Sequence, residues 1–483
     1  MPRAWAAPAA ASRLVRSLQN VLPDRGAARG AARGADFRSG SAHKGVMNLS
    51  ATTGFASRRA ATQLVHAVLQ RGRPLDEALD DPRGLMVDLD ARDRALARAI
   101  AGATLRRLGS LRAALAGFLR KPLDPRGALE SILLTGAAQI LLMDVPDHAA
   151  VGVAVDQANA DRAARPFAPL VNAVLRNVAR EREELLARMP ASADIPEWLM
   201  RRRIASWGEA EALAITHAER SEPGLDLTVK SDPESWAARL GGIVLPTGTV
   251  RLVPHGPIIE LEGFGGGEWW VQDAAAAIPA RLLGAHSGMR VADLCAAPGG
   301  KTAQLAASGA EVTAIDRSAP RLRRLTENLK RLGLSANTVT ADATTLEAPP
   351  FDAVLLDAPC SATGTIRRHP DVAWLKTPED VGKLADLQAR LIDASVRMLK
   401  PGGLLVYSTC SLEPEEGERQ IEALLERTAG LERVPVDAAE IGGCSEMLTP
   451  AGELRTLPHH LPNDEPRLAG LDGFFAARLR RTA

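Results

Sequence analysis

The sequence predicts a multidomain chain: an all-α helical bundle, a small α+β connector and an α/β domain whose sheet is covered on both faces. Three observations predict it. Apolar residues recur at helical spacing through 57–185, short alternating runs and a glycine-rich joint at 263–267 follow, and beyond 289 short apolar runs alternate with helical patterns. At 483 residues, with 46% hydrophobic and 24% charged side chains, there is ample material for several cores. No run approaches the ~18 uncharged apolar residues of a membrane helix, so no membrane partner is expected. The four cysteines, Cys295, Cys360, Cys410 and Cys444, are too few for a disulfide scaffold and lack the paired spacing of a zinc site. No metal is expected, and a reducing compartment fits best.

The elements follow in order. Residues 1–55 read as a disordered basic tail, rich in Ala, Arg and Gly, with an organelle transit peptide or a true start at Met47 as other readings. Residues 1–46 carry a balance of +6 and residues 57–180 one of +5, which leaves the last 303 residues at −10. A basic front and an acidic back suggest that the front meets an anionic partner. The bundle spans 56–185, from Ala61, Leu64, Val65, Val68 and Leu69 through Leu96, Ile100 and Leu105 to Leu129, Ile132, Leu133, Ile140, Leu141 and Leu142. The connector spans 186–280. It holds a helix after Pro196 and alternating runs at Leu225/Leu227/Val229, Ile243/Leu245 and Val250/Leu252. The α/β domain spans 281–483, with strands expected at 291–294, 312–315, 338–340, 353–356 and 404–407 and helices at 321–332 and 381–399.

Chemistry concentrates where those strands end. Asp293-Leu294-Cys295-Ala296-Ala297-Pro298-Gly299-Gly300-Lys301-Thr302 follows a strand and opens a helix. Small residues and two glycines let backbone approach a ligand at the carboxyl end of a strand. The loop is not a nucleotide P-loop, because it holds Pro298 and lacks the leading glycine. The next strand ends in Asp316, where doubly wound folds hydrogen-bond a ribose. Asp342 follows the third strand, and Asp357 ends the fourth. A single aspartate is usually a cap or turn residue; three along one sheet edge beside a glycine-rich loop point to a nucleoside-bearing ligand. Two further turns, Asp357-Ala358-Pro359-Cys360-Ser361-Ala362-Thr363-Gly364 and Ser408-Thr409-Cys410-Ser411, set Cys360 and Cys410 on that edge. Cys295 reads as a packing or backbone-contact residue, and Cys444 as structural or surface. Asp357 near Cys360 would raise that thiol's pKa, whereas no acidic residue follows Cys410 until Glu413.

These turns resemble the RNA (cytosine-5) methyltransferase family of the RsmB (Sun/Fmu) type. The paired Asp-Ala-Pro-Cys-Ser and Ser-Thr-Cys-Ser elements carry the resemblance. So do Leu457-Pro458-His459 and 472–478, which match the family's last strands, and Val145–Val151 and Val171–Arg176, which resemble its NusB-like RNA-binding bundle. The resemblance covers nearly everything after about residue 55. It implies a Rossmann-like domain that binds S-adenosyl-L-methionine through Cys295, Ala296, Ala297, Pro298, Gly299, Gly300, Lys301, Asp316, Asp342 and Asp357. It implies that Cys410 adds to C6 of a cytosine and that Cys360 helps to release the adduct. Asp357 is then expected on the base edge, Asp316 on the ribose, Asp342 near the adenine, and Lys301 as a cation favouring thiolate. The implied substrate is RNA, with 16S rRNA first and tRNA as an alternative, in the cytoplasm. A non-catalytic RNA-binding assembly factor is the reading from another class. Arg201–Arg203, Arg323, Arg324, Arg367 and Arg368 are candidate phosphate contacts. One departure stands out: relatives often carry Leu-Arg-Val-Asn where this chain reads Leu227-Thr228-Val229-Lys230, so Lys230 becomes a candidate substitute cation.

Overall fold

The protein is described from a computed structural model that covers residues 54–482, apart from 85, 122 and 124–126. The tail expected over 1–55 lies outside the described residues except for its last two, of which Phe55 opens the first helix. Among the described residues no helix is long and apolar enough to cross a membrane.

Helices fill 55–188. Ala128–Leu142 runs through their middle, buried from Glu130 to Leu141. A helix apolar on every side must be surrounded. Phe55–Arg71, Ala91–Arg106, Leu108–Ala116, Asp147–Ala160 and Ala168–Arg180 surround it. Gly136 marks a close approach to one of them, since a Cβ there would sit 2.6 Å from Leu175 Cδ1.

Two helices, Glu197–Trp207 and Glu209–Ala218, lead to a four-stranded antiparallel sheet. Its strands are β1 (Leu225–Val229), β2 (Ile243–Val244), β3 (Val250–Leu252) and β4 (Trp269–Val271), in the order β2-β3-β1-β4. The alternating runs anticipate the first three. Strand β4 reads Trp269-Trp270-Val271 beside the glycine joint, apolar throughout, so it shows no alternation.

The second sheet is built from β5 (Arg290–Leu294), β6 (Glu311–Asp316), β7 (Asn337–Thr340), β8 (Phe351–Asp357) and β9 (Leu399–Thr409), with β10 (Leu431–Arg433), β11 (Leu454–Thr456) and β12 (Phe474–Arg481). The order is β10-β12-β9-β8-β5-β6-β7, with β11 on β12. Strands β5 to β9 pair in parallel; β10, β11 and β12 are antiparallel additions at one edge. An antiparallel neighbour needs no crossover helix on a sheet face, so the strand–helix pattern does not announce this part. Leu457-Pro458-His459, matched to a last strand, lies just past β11. Side chains alternate between two cores. Val291, Leu355, Val406 and Ala476 face one, while Ala292, Leu356, Tyr407 and Phe475 face the other. The sheet is therefore covered on both faces. Its order reverses between β5 and β8, the place where such sheets open a crevice at their carboxyl ends.

Residues 366–375, after β8, dock on the helical region. Leu75 N donates to Asp371 Oδ2 (2.9 Å), Arg106 to Arg367 O (2.9 Å) and Trp374 Nε1 to Leu105 O (3.0 Å). His369 lies 3.2 Å from Asp76. The bundle thereby holds one wall of the crevice.

Candidate active site

After β5 the chain turns through Cys295 (φ 59°) and Gly299 (φ 104°) into the helix Gly300–Ala307. A Cβ on Gly299 would lie 2.6 Å from Leu325 Cγ, so both space and backbone demand glycine there. The loop borders a cavity of 510 Å³, within the range of about 300–1,000 Å³ usual for small-molecule sites. Its walls are Asp293 and Ala296 to Lys301 on one side, Asp357, Thr365, Arg368, Cys410, Asp472 and Phe474 on another, and Trp270, Gln272 and Asp273 from the connector.

Asp293 is fully buried. Its Oδ2 accepts from Thr302 Oγ1 (2.5 Å), and its Oδ1 has no partner. Burial pushes its pKa up to about 7, with Asp357 adding to the rise. An unpaired buried carboxylate oxygen is costly unless an occupant donates to it. This wall thus fits a ligand with a cationic or N–H group, as S-adenosylmethionine has. Asp316 stands behind the loop: its Oδ2 accepts from Ala297 N (3.2 Å) and its Oδ1 from Ser318 N (2.8 Å). Asp342 is exposed and accepts from Thr344 N (2.9 Å) in a turn. Neither is brought to the cavity wall. Burial first, then the charges of Asp316, Asp357 and Asp293, push the Cys295 thiol up to about 12, which suits a packing role.

The two remaining turns meet. Strands β8 and β9 pair with Asp357 opposite Ser408, and past them Cys360 Sγ and Cys410 Sγ lie 3.4 Å apart. Cys410 faces the cavity. The Cys360 thiol is pushed well up, first by its hydrogen bond with Cys410, then by burial, then by the charges of Cys410 and Glu416. The direction is the one expected, but the cause differs. Asp357 is engaged elsewhere, accepting from Lys301 Nζ (2.7 Å) and Ser408 Oγ (3.1 Å). Lys301 in turn is buried, with Nζ 5.0 Å from the Phe474 ring centroid. Its charge is matched by Asp357, so its effect on a thiolate is indirect. Glu416, behind both cysteines, is the residue the sequence reading missed. It follows Pro414-Glu415 in what looks like a solvated acidic run.

Residues 280–480 match the family described as 16S rRNA methyltransferase RsmB/F, and residues 56–180 match the NusB family. The chain is 40% identical over 410 residues to ribosomal RNA small subunit methyltransferase B of Xanthomonas campestris, spanning 80% of this chain and 92% of that one. It is 39% identical over 442 residues to the protein of the same name from Xylella fastidiosa strain Temecula1, spanning 88% and 98%. The chain belongs to the RsmB/F methyltransferase family. Among solved structures, PH0851 shares the fold at a TM-score of 0.68 with 22% identity, covering 88% of this chain and 98% of that one. NSun6 from Pyrococcus horikoshii with SFG does so at 0.51 with 23% identity, covering 60% and 98%.

This RsmB/F-family chain is an S-adenosylmethionine-dependent RNA methyltransferase. Several arginines expected on its RNA-binding face are paired with carboxylates, and of these Arg202 and Arg368 stay partly exposed, Arg368 on the cavity wall. Arg203 is 1% exposed and pairs bidentately with Glu219 (2.7 Å for both bonds). Arg202 binds Glu413 and Glu415, beyond Cys410. Arg367 and Arg368 join Asp226, Asp273 and Asp472 in a buried network. Lys230 is exposed, and its Nζ donates to Leu332 O. A guanidinium removed from water needs carboxylates, and the fold supplies them from distant segments. Arg201, Arg323 and Arg324 do lie exposed. Arg203→Ala should cost about 3–5 kcal/mol in denaturant unfolding, because Glu219 stays buried without its partner. A loss below about 1 kcal/mol, the size of a surface pair, would contradict this placement.

Proposed function

We propose that the protein methylates C5 of a cytosine in small-subunit ribosomal RNA through a covalent bond between Cys410 and C6. The observation that carries the reading is the 3.4 Å approach of two cysteine sulfurs, one of them facing the cavity beside the glycine-rich loop. On this reading 56–185 is the RNA-binding bundle, 186–280 the connector and 281–483 the catalytic domain, and the protein works in the cytoplasm.

S-adenosylmethionine, when bound, supplies an electrophilic methyl group. Cytosine C5 is a poor nucleophile towards it. The Cys410 thiolate adds to C6, and C5 becomes enamine-like. Asp357, on the cavity wall and held by Lys301 and Ser408, faces the N3/N4 edge, where its charge stabilises a proton on N3 during the attack. After transfer C5 loses its proton, the C6–Sγ bond breaks and the Cys410 thiolate returns. Cys360 assists this release. Alkylated Cys410 carries no charge and its thioether sulfur is a poorer acceptor for the Cys360 S–H, so two causes that hold the Cys360 thiol up weaken as the adduct forms. More Cys360 thiolate is then available to take the C5 proton. The target base must leave its stack to reach the cavity.

For the cofactor we assign the 295–301 loop, and we extend the site beyond the cavity wall to Asp316, which holds Ala297 N of that loop, for the ribose, and to Asp342 for the adenine. Two hydrogen bonds from a ribose to a carboxylate are worth about 1.5–3 kcal/mol each. Calorimetry on Asp316→Ala should therefore show S-adenosylmethionine affinity lowered at least about 10²-fold; unchanged affinity removes the ribose contact. The function itself is tested by bisulfite sequencing of RNA from cells lacking the gene. One cytosine of small-subunit rRNA should lose protection and regain it on complementation. Loss at a tRNA position instead would move the substrate, and no loss at all would leave the assembly-factor reading.

A further inference from the structure

We propose that Glu416 is the positioning residue of the cysteine pair: its buried carboxylate ties the turn behind Cys360 to the turn behind Cys410 and so sets the distance between the two sulfurs. This rests on the covalent reading above. Pairing of β8 with β9 starts the two turns side by side, but Cys360 is three residues past Asp357 and Cys410 only two past Ser408. Turns of unequal length do not stay in register unaided. The residues next to the cysteines, Ser361 and Ser411, both end on Glu416. Ser361 N donates to Oε1 (2.8 Å), while Ser361 Oγ and Ser411 Oγ both donate to Oε2. The two hydroxyls are 3.1 Å apart. Gln388 Nε2 donates to Oε1 (3.1 Å) and also to Pro359 O (2.9 Å), next to Cys360.

All four contacts are donations to one carboxylate, which has about four lone-pair sites to receive them. Glu416 is fully buried, so this saturation offsets the cost of its burial. Its own backbone is fixed to the end of β9, with its carbonyl accepting from Tyr407 Oη (2.7 Å) and Thr409 Oγ1 (3.1 Å). The clamp therefore stands on the strand that carries Cys410 and reaches across to the turn that carries Cys360. Burial raises the Glu416 carboxyl itself, and when ionised its charge opposes ionisation of the Cys360 thiol.

The test separates shape from charge. Glu416→Ala removes both; Glu416→Gln keeps the acceptor and the volume, and serine hydroxyls can reverse to accept from its amide. Single-turnover methyl transfer should fall about 10²-fold in Glu416→Ala, the usual penalty of misplacing a reacting group by about 1 Å. Glu416→Gln should restore most of that rate. Its pH profile for adduct release should shift to lower pH, since loss of a nearby negative charge acidifies the Cys360 thiol. Cofactor affinity should match the parent in both, because Glu416 is not on the cavity wall. If Glu416→Ala does not fold, the double variant Ser361→Ala/Ser411→Ala removes two arms of the clamp and should slow transfer in the same way. Parent-like transfer in Glu416→Ala or the double variant overturns the proposal. So does a Glu416→Gln rate as low as that of Glu416→Ala. Cys410→Ser run alongside keeps the readings apart. If it transfers methyl, the covalent reading falls; if it is inert while Glu416→Ala is fully active, only the clamp falls.

Discussion

Cys410→Ser is expected to lower methyl transfer by about 10⁴-fold or more, the scale on which loss of a covalent nucleophile is felt, and to leave no complex with RNA that survives denaturation. Cys360→Ser should instead accumulate such a complex, visible as a slowly migrating band on a denaturing gel. The asymmetry follows from the site. Cys410 faces the cavity, whereas Cys360 lies behind it with its thiol pushed well up by Cys410, burial and Glu416. A group so disfavoured as thiolate is a poor first attacker and a suitable partner for the later step. A trapped band with Cys410→Ser and none with Cys360→Ser would exchange the two roles.

Asp357→Asn is expected to lower single-turnover transfer by about 10²–10⁴-fold, the usual range for a group that handles a proton in the transition state. The carboxylate is placed by Lys301 and Ser408 rather than left free in solvent. The amide would keep the volume but lose the charge that stabilises a protonated N3. It would also leave the buried Lys301 ammonium without its partner, so a loss of stability is expected beside the loss of rate. Transfer within a few-fold of the parent would show that N3 is handled by another group.

The parts of the site that could be read from sequence are those whose chemistry is contiguous. The 293–302 loop, the Asp357–Cys360 turn and the Ser408–Ser411 turn each carry their glycines, prolines, carboxylates and thiols within ten residues. Glu416 was not legible, because an acidic residue after Pro414-Glu415 normally marks a solvated turn. Only the packing of β8 against β9 turns it inward. Arg367-Arg368 misled in the opposite direction. Adjacent arginines suggest a phosphate contact, but their partners Asp226, Asp273 and Asp472 come from the connector and from the loop before β12. Asp316 ends β6 and Asp342 follows β7 as expected, yet backbone N–H groups of neighbouring residues hold their carboxylates. Strand β4 reads Trp269-Trp270-Val271, apolar throughout, and β10 reads Leu431-Glu432-Arg433, with a single apolar residue, so neither shows an alternation that could announce it.

The central claim is that Cys410 bonds to C6 of the target base. Substrate RNA carrying 5-fluorocytidine at the modified position tests it most directly, because fluorine at C5 does not leave as a proton does and the adduct cannot break down. Digestion of the trapped complex and mass spectrometry of the peptides should place the nucleotide on the fragment that contains Cys410. Finding it on the fragment that contains Cys360, or recovering no modified peptide from fully cofactor-loaded enzyme, would contradict the account.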